Sequence, residues 1–231
     1  MEHRGEHQLF APYQSRKSTI CHHVHSACIV EALEHIHSFD IVYRDIKPEN
    51  VVICANGYLK LTDYGLAKFL DADLTFTLCG TPDYLAPETI LGRGYDTGCD
   101  WWGLGILIYE MIAHVPPFMG SPDQICEKIL TQAPRFNNRF SKSVQNLINK
   151  LCAKNPHQRL GNVKDGANAI RNHAYFKENE FDWEQLQHLK IEAPYIPKLK
   201  SDDDLSNFKI SLKPDPSKPA PVDNPIWAKD F

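Results

Sequence analysis

With 231 residues, 42% of them apolar and 23% charged, the chain can bury a sizeable core as one large domain, alone or with an extension. A net charge of −4 and no basic block argue against a nucleic-acid clamp or an anionic-membrane surface. The start has no apolar leader run, no stretch nears the ~18 apolar residues of a membrane span, and the seven scattered cysteines never fall as Cys-x-x-Cys, which together predict a reducing, cytoplasmic setting.

Ile20, Val24, Ala27, Leu33 and Ile36 recur near helical spacing and predict an amphipathic helix over about 18–38. His22, His23 and His25 near its start read as solvated side chains, since only His22 and His25 share a face and no Cys or carboxylate completes a metal set. Two β-prone runs, Val51–Ile53 and Tyr58–Leu61, are joined through Asn56-Gly57 and predict a hairpin, with both turn residues tolerant of positive φ. After a polar, threonine-rich loop, Asp100–His114 is apolar almost all round, the pattern of a helix buried mid-domain. Further helices are predicted near 121–131, 141–152 and, more polar, 163–172. From about Glu180 the sequence turns Pro- and Asp-rich, which predicts an extended tail without a core of its own.

The segment from Tyr43 to Glu88 holds YRDIKPEN (43–50), DYG (63–65) and APE (86–88) in that order. That ordered set resembles the protein-kinase signature. With TLCGTPDYLAPE, DWWGLGILIYEM, NPHQRLG and SNF (206–208), the chain resembles the AGC group of kinases, most nearly the cGMP-dependent and then the cAMP-dependent type. The resemblance implies an α+β, protein-kinase-like fold: a mainly helical C-lobe with a short β-hairpin at the catalytic site, and the N-lobe absent. It divides the chain into an unassigned segment 1–19, a C-lobe 20–174 and a C-terminal tail 175–231.

The same resemblance assigns roles in ATP- and Mg²⁺-dependent phosphoryl transfer to Ser/Thr. Asp45 would accept the proton of the substrate hydroxyl, Lys47 would reach the transferring phosphate, and Thr81 would bond both. Asn50 and Asp63 would ligate Mg²⁺, Val52 and Thr62 would floor the adenine site, and Phe208 of the tail would border it. Glu49 and Glu110 would grip a basic residue upstream of the target, and Leu78, Pro82 and Leu85 would hold the residue after it. Thr77 falls where a phosphothreonine would order the segment by pairing with Arg44 and Lys68. Glu88 with Arg159 implies a structural ion pair, and Asp100 a support for the catalytic loop. Cys79 is either an oxidation-sensitive residue or a small buried hydrophobe.

Departures from the pattern are Tyr43 for His, Tyr64 for Phe, and Phe208 followed by Lys-Ile-Ser-Leu in place of an acidic cluster. Gly103-x-Gly105 and Gly92-x-Gly94 lack the spacing of a phosphate loop. A kinase of this kind carries a Gly-rich loop and a strand lysine ahead of the first helix, and Trp227 and Phe231 resemble an anchor that docks on that lobe. The expectation is therefore a kinase by family whose 231 residues are inactive alone. The expected partners are basic protein substrates, a missing or separate N-lobe, and regulatory cyclic-nucleotide-binding domains. The alternative is a non-catalytic substrate-binding protein.

Overall fold

The structure is a computed structural model that describes residues 18–201 apart from 72, 73 and 179. Its centre is α3 (Gly98–Ala113), which is buried from Gly98 through Ile112, as a helix apolar on every face must be. It ends at His114, whose left-handed backbone (φ 64°) lets its N–H reach the Glu110 carbonyl.

Against α3 lie α1 (Ser18–His37) on one side and α5 (Lys142–Leu151) on another. α1 turns Val24, Ala27, Val30 and Leu33 into the core. α5 contributes Val144, Leu147, Ile148 and Leu151 and starts at Ser141, whose hydroxyl accepts from the Val144 N–H. The two glycines inside α3 serve packing: a Cβ at Gly105 would sit 2.6 Å from Cys152 Sγ, and one at Gly103 would sit 3.0 Å from Ile46 Cβ. α4 (Pro122–Thr131) opens with a capping box between Ser121 and Gln124. Short helices α2 (Pro87–Ile90), α6 (Ala167–Arg171), α7 (Ala174–Lys177) and α8 (Trp183–Gln187) complete the helical part.

The strands are few and short. β2 (Val51–Ile53) pairs antiparallel with β3 (Leu59–Leu61) in the register Val51↔Leu61, Val52↔Lys60, Ile53↔Leu59. Val51, Ile53, Leu59 and Leu61 face the core while Val52 and Lys60 face outward, the period-2 alternation of a half-buried hairpin. β1 (Ile41–Val42) pairs antiparallel with β4 (Lys68–Phe69), a pairing the sequence reading did not anticipate.

The structure corrects several expectations. The hairpin turn is not a two-residue Asn-Gly turn: Cys54 N–H bonds the Tyr58 carbonyl at 2.8 Å, Gly57 N–H bonds the Cys54 carbonyl at 2.8 Å, and only Gly57 has positive φ (80°). Three loop residues with glycine last give the turn-plus-bulge form instead. The helix expected over 163–172 shrinks to α6. His22, His23 and His25 are not solvated but 7%, 6% and 0% exposed. His22 Nε2 reaches the Met111 carbonyl and His23 Nε2 the Tyr175 carbonyl, both at 3.2 Å, so their polar ends are satisfied inside.

The chain also stays packed well beyond residue 175. Tyr175 and Phe176 are buried, Phe176, Phe181 and Trp183 form an aromatic cluster with centroids 4.7–5.5 Å apart, and Leu186 of α8 is 3% exposed. Arg171 ties α6 to α1 by bonding Glu31 and Glu34 while its guanidinium lies 5.4 Å from the Trp183 ring. Tyr58 OH then donates to the Ile191 carbonyl at 2.7 Å, so 190–195 runs along the hairpin tip.

The Glu88–Arg159 pair expected from the sequence is present as a two-pronged bridge of 2.6 and 2.8 Å. Arg159 has no exposed surface; it also donates to the carbonyls of Gly98 and Ala153 and lies 5.4 Å from the Trp102 ring. Among the described residues no helix is long and apolar enough to cross a membrane.

Candidate functional site

The site is built on the loop between β1 and β2. Asp100, in the first turn of α3 and 2% exposed, accepts the backbone N–H of Tyr43 on Oδ2 and that of Arg44 on Oδ1, each at 2.8 Å, and His37 Nε2 lies 2.8 Å from the same Oδ2. One buried carboxylate thus anchors the loop and holds Arg44 at φ 67°, a left-handed conformation that non-glycine residues seldom adopt.

The next residue is Asp45, 6% exposed. Its Oδ2 accepts from Lys47 Nζ at 2.8 Å and from Asn50 Nδ2 at 2.6 Å; Asn50 Nδ2 also reaches the Asp45 carbonyl at 3.0 Å. Its Oδ1 is buried without a hydrogen-bond partner among the described residues. Asp45 also lines a narrow cavity together with Arg44, Thr81 and Leu85. The carboxylate therefore has one oxygen fixed by two donors and one left to accept a proton.

The hairpin brings the second oxygen ligand alongside. The Asn50 carbonyl accepts from Thr62 N–H at 2.9 Å and Thr62 Oγ1 at 3.2 Å, so Thr62 stands opposite Asn50 and Asp63 follows one residue beyond it. Asp63 is exposed at φ 56°, with Oδ1 held by the Gly65 N–H at 3.0 Å. With Asn50 Nδ2 spent on Asp45, Asn50 Oδ1 and Asp63 Oδ2 remain as hard oxygen donors, so the pair fits Mg²⁺ by ligand chemistry. Val52 is half-buried on the outward face of β2, and Thr62 is half-buried beside it.

Tyr43, substituting for the more usual His, donates its hydroxyl to the Thr62 carbonyl; burial raises its pKa, with Asp45 adding to the effect. Tyr64 is 53% exposed, and its ring meets the Tyr43 ring edge to face with centroids 5.4 Å apart.

Past β4 the chain folds back over this loop. Thr75 pairs with Tyr95 through two backbone bonds of 2.9 and 3.0 Å, and Tyr95 OH donates to the Thr77 carbonyl at 2.6 Å. Arg44 borders that same hydroxyl; its Nε donates to the Leu66 carbonyl at 2.6 Å, while its Nη1 is buried without a partner among the described residues. Lys68 Nζ donates to Thr75 Oγ1 at 3.1 Å. The Thr77 side chain is exposed. At Gly80 (φ 107°) a Cβ would come within 3.0 Å of the Arg44 carbonyl, so the close approach of the two segments requires glycine.

Not every expected contact forms. Thr81 lines the cavity beside Asp45 but hydrogen-bonds neither Asp45 nor Lys47. Leu78 is 66% exposed, whereas Pro82 and Leu85 are half-buried. Glu110 is not an exposed helix end: it is 7% exposed and accepts from Tyr84 OH. Burial, then Glu110, then Glu49 and Asp83, push the Tyr84 phenol well above its ordinary range. Glu49 itself is exposed. Cys79 is half-buried, with Sγ 4.0 Å from Tyr95 OH. Phe208, Trp227 and Phe231 lie outside the described residues. Tyr84, Tyr95 and His37 went unassigned in the sequence, because each acts through a contact far along the chain.

The protein kinase domain family matches residues 1–176. The chain belongs to the protein kinase family. The matched span includes the first nineteen residues, which the motifs alone left unassigned. Among curated relatives, the chain is 43% identical over 211 residues to a Drosophila melanogaster protein named cGMP-dependent protein kinase, isozyme 2 forms cD5/T2, covering 90% of this chain and 22% of that one. It is 45% identical over 199 residues to the human cAMP-dependent protein kinase catalytic subunit PRKX, covering 86% of this chain and 55% of the relative. Human cGMP-dependent protein kinase 2 is 40% identical over 210 residues, with 89% and 27% covered. The kinase chain thus spans between about a fifth and a little over half the length of these relatives, which are Ser/Thr kinases of the AGC group.

Proposed function

We propose that this chain supplies the catalytic base, phosphate-contacting lysine, metal ligands and substrate-reading carboxylates of an ATP-dependent Ser/Thr protein kinase. The observation that carries the reading is Asp45, with Oδ2 locked by Lys47 and Asn50 and Oδ1 buried, unpartnered and beside the cavity that Thr81 lines. A substrate Ser or Thr hydroxyl placed there donates to Oδ1 as its oxygen attacks the phosphorus, and Asp45 takes up the proton. Lys47, bonded to Oδ2, contributes a positive charge beside the same carboxylate. Asn50 and Asp63 would hold Mg²⁺, which neutralises phosphate charge when bound; Val52 and Thr62 would border adenine, and Phe208 would join them from the tail. Thr81 would join Asp45 and Lys47 once substrate is bound.

The substrate class follows from Glu49 and Glu110. Glu110, bonded to Tyr84, and the exposed Glu49 favour an arginine guanidinium upstream of the target, while Leu78, Pro82 and Leu85 offer apolar contact after it. Phosphorylated Thr77 would meet the buried Arg44 nitrogen, with Lys68 nearby, and fix the segment. Residues 1–231 alone carry no Gly-rich phosphate loop or strand lysine of the kinase pattern, so we expect them to transfer phosphate poorly by themselves.

The test is peptide binding, which needs no turnover. Fluorescence polarisation of a serine peptide with upstream arginines is compared with its norleucine counterpart. Preference for the arginine peptide, lost in Glu110→Gln, supports the reading; equal binding of both peptides contradicts it.

A further inference from the structure

A second cavity, of about 410 Å³, opens on the far side of the β2–β3 hairpin, between α1 and α8. Its size is that of a small-molecule site. Tyr58, Leu59, Leu186 and Leu189 give it apolar walls, and two thiols, Cys28 of α1 and Cys54 at the hairpin turn, share the lining. Both cysteines are free and half-buried. The fold sets both on one cavity: the Cys54 N–H is bonded to the Tyr58 carbonyl, Leu59 follows at once, and the Leu59 backbone hydrogen-bonds the Cys28 thiol. Lys60 is exposed and offers a cation to a carboxylate, while the one carboxylate in the lining, Glu31, is already bonded to Arg171 and Gln187. Nothing in the phosphoryl-transfer site uses this cavity, which lies at the end of the hairpin opposite Asn50 and Thr62.

We propose that this cavity is a thiol-exchange site, in which Cys54 takes up a small carboxylate-bearing disulfide as a mixed disulfide and Cys28 resolves it. In the first step the Cys54 thiolate attacks one sulfur of the small disulfide, the S–S bond breaks, and one small thiolate leaves and picks up a proton. In the second, Cys28 loses its proton to solvent and attacks the Cys54 sulfur, expelling the second small thiol. The net change is two protein thiols oxidised to one disulfide and one small disulfide reduced to two thiols. Burial, partly offset by backbone N–H groups, pushes the Cys28 thiol up to about 11, with Cys54 itself among the neighbours that raise it. Resolution is therefore slow at neutral pH, and the mixed disulfide accumulates first.

The experiment incubates the purified chain with oxidised glutathione and follows intact mass and peptide maps. The expected wild-type course is a glutathionyl adduct at Cys54, then loss of that adduct with formation of a Cys28–Cys54 bridge, faster as pH is raised. Cys28→Ser should trap the adduct, and Cys54→Ser should abolish both products while leaving Cys79 and Cys126 as reactive as before. An unmodified Cys54, or an adduct that the wild type never converts to the bridge even at pH near 9, would overturn the proposal. A Cys54→Ser chain that still gains glutathione at Cys28 would do so as well.

Discussion

Arg159 is the largest charged group sealed in this lobe, and the consequences of removing its partner can be worked out from its contacts. Its guanidinium gives two N–H groups to Glu88, others to the Gly98 and Ala153 carbonyls, and has no exposed surface. Glu88→Ala removes the only carboxylate in that set and leaves the charge where water cannot reach it. Breaking such a buried pair costs about 3–5 kcal/mol. Glu88→Gln retains an acceptor but not the charge, and should lose about 1.5–3 kcal/mol, the range for a hydrogen bond to a charged group. Replacing both partners together, Glu88→Leu with Arg159→Met, should recover much of the loss, because buried pairs exchanged for apolar groups are often neutral. Urea unfolding followed by tryptophan fluorescence measures all three if the denaturant slope is unchanged. A Glu88→Ala loss below about 1 kcal/mol, the range of an exposed pair, would refute the reasoning.

Other perturbations follow from the same geometry. Asp100→Ala strands the amides of Tyr43 and Arg44, and should cost about 2–4 kcal/mol with faster hydrogen exchange at 43–45; unchanged exchange would mean the loop stands without Asp100. Burial lowers both His22 and His25 from 6.5 to about 4, so between those values the unfolded chain binds protons that the folded chain refuses. Stability is then full above pH 6.5 and falls as pH drops toward 4, by roughly 3 kcal/mol per histidine at most. Urea midpoints at pH 7.5 and 5 should differ less in a His22→Asn, His25→Gln variant. Gly57→Ala meets the Tyr195 carbonyl at 2.3 Å and Ala193 Cβ at 2.5 Å, and also strains φ 80°. It should cost about 1–3 kcal/mol and expose 190–196 to protease; wild-type proteolysis would contradict the contact.

Periodicity made α1, α3, α4 and α5 readable, because each buries one stripe or all of its surface, and Asn56-Gly57 marked the hairpin. The β1–β4 pair was not readable, since two residues on each side carry no pattern and the partners lie 25 residues and more apart. α8 hid in a polar, proline-rich stretch because its docking depends on Phe181 and Trp183 meeting Phe176 and on Leu186 being buried, which no local spacing reveals. The histidines of α1 were misjudged by residue type: each is polar, yet the carbonyls that receive His22 and His23 come from α3 and α7. In the site, the residue types of Asp45, Lys47, Asn50 and Asp63 were legible from their order. The free Oδ1 of Asp45, the left-handed backbone at Arg44 and Asp63, and the tether from Tyr95 to Thr77 are properties of the folded chain only.

The central claim is that Asp45 acts as the base of a phosphotransferase. The direct test joins this chain to the N-terminal part of the kinase domain of its cAMP-dependent relative and measures ATP-dependent phosphorylation of an arginine-containing serine peptide. The account predicts transfer by the chimera and a loss of at least ~10²-fold in Asp45→Asn, with peptide affinity unchanged. A folded chimera that binds peptide and nucleotide yet transfers phosphate equally well with Asn at position 45 would contradict it.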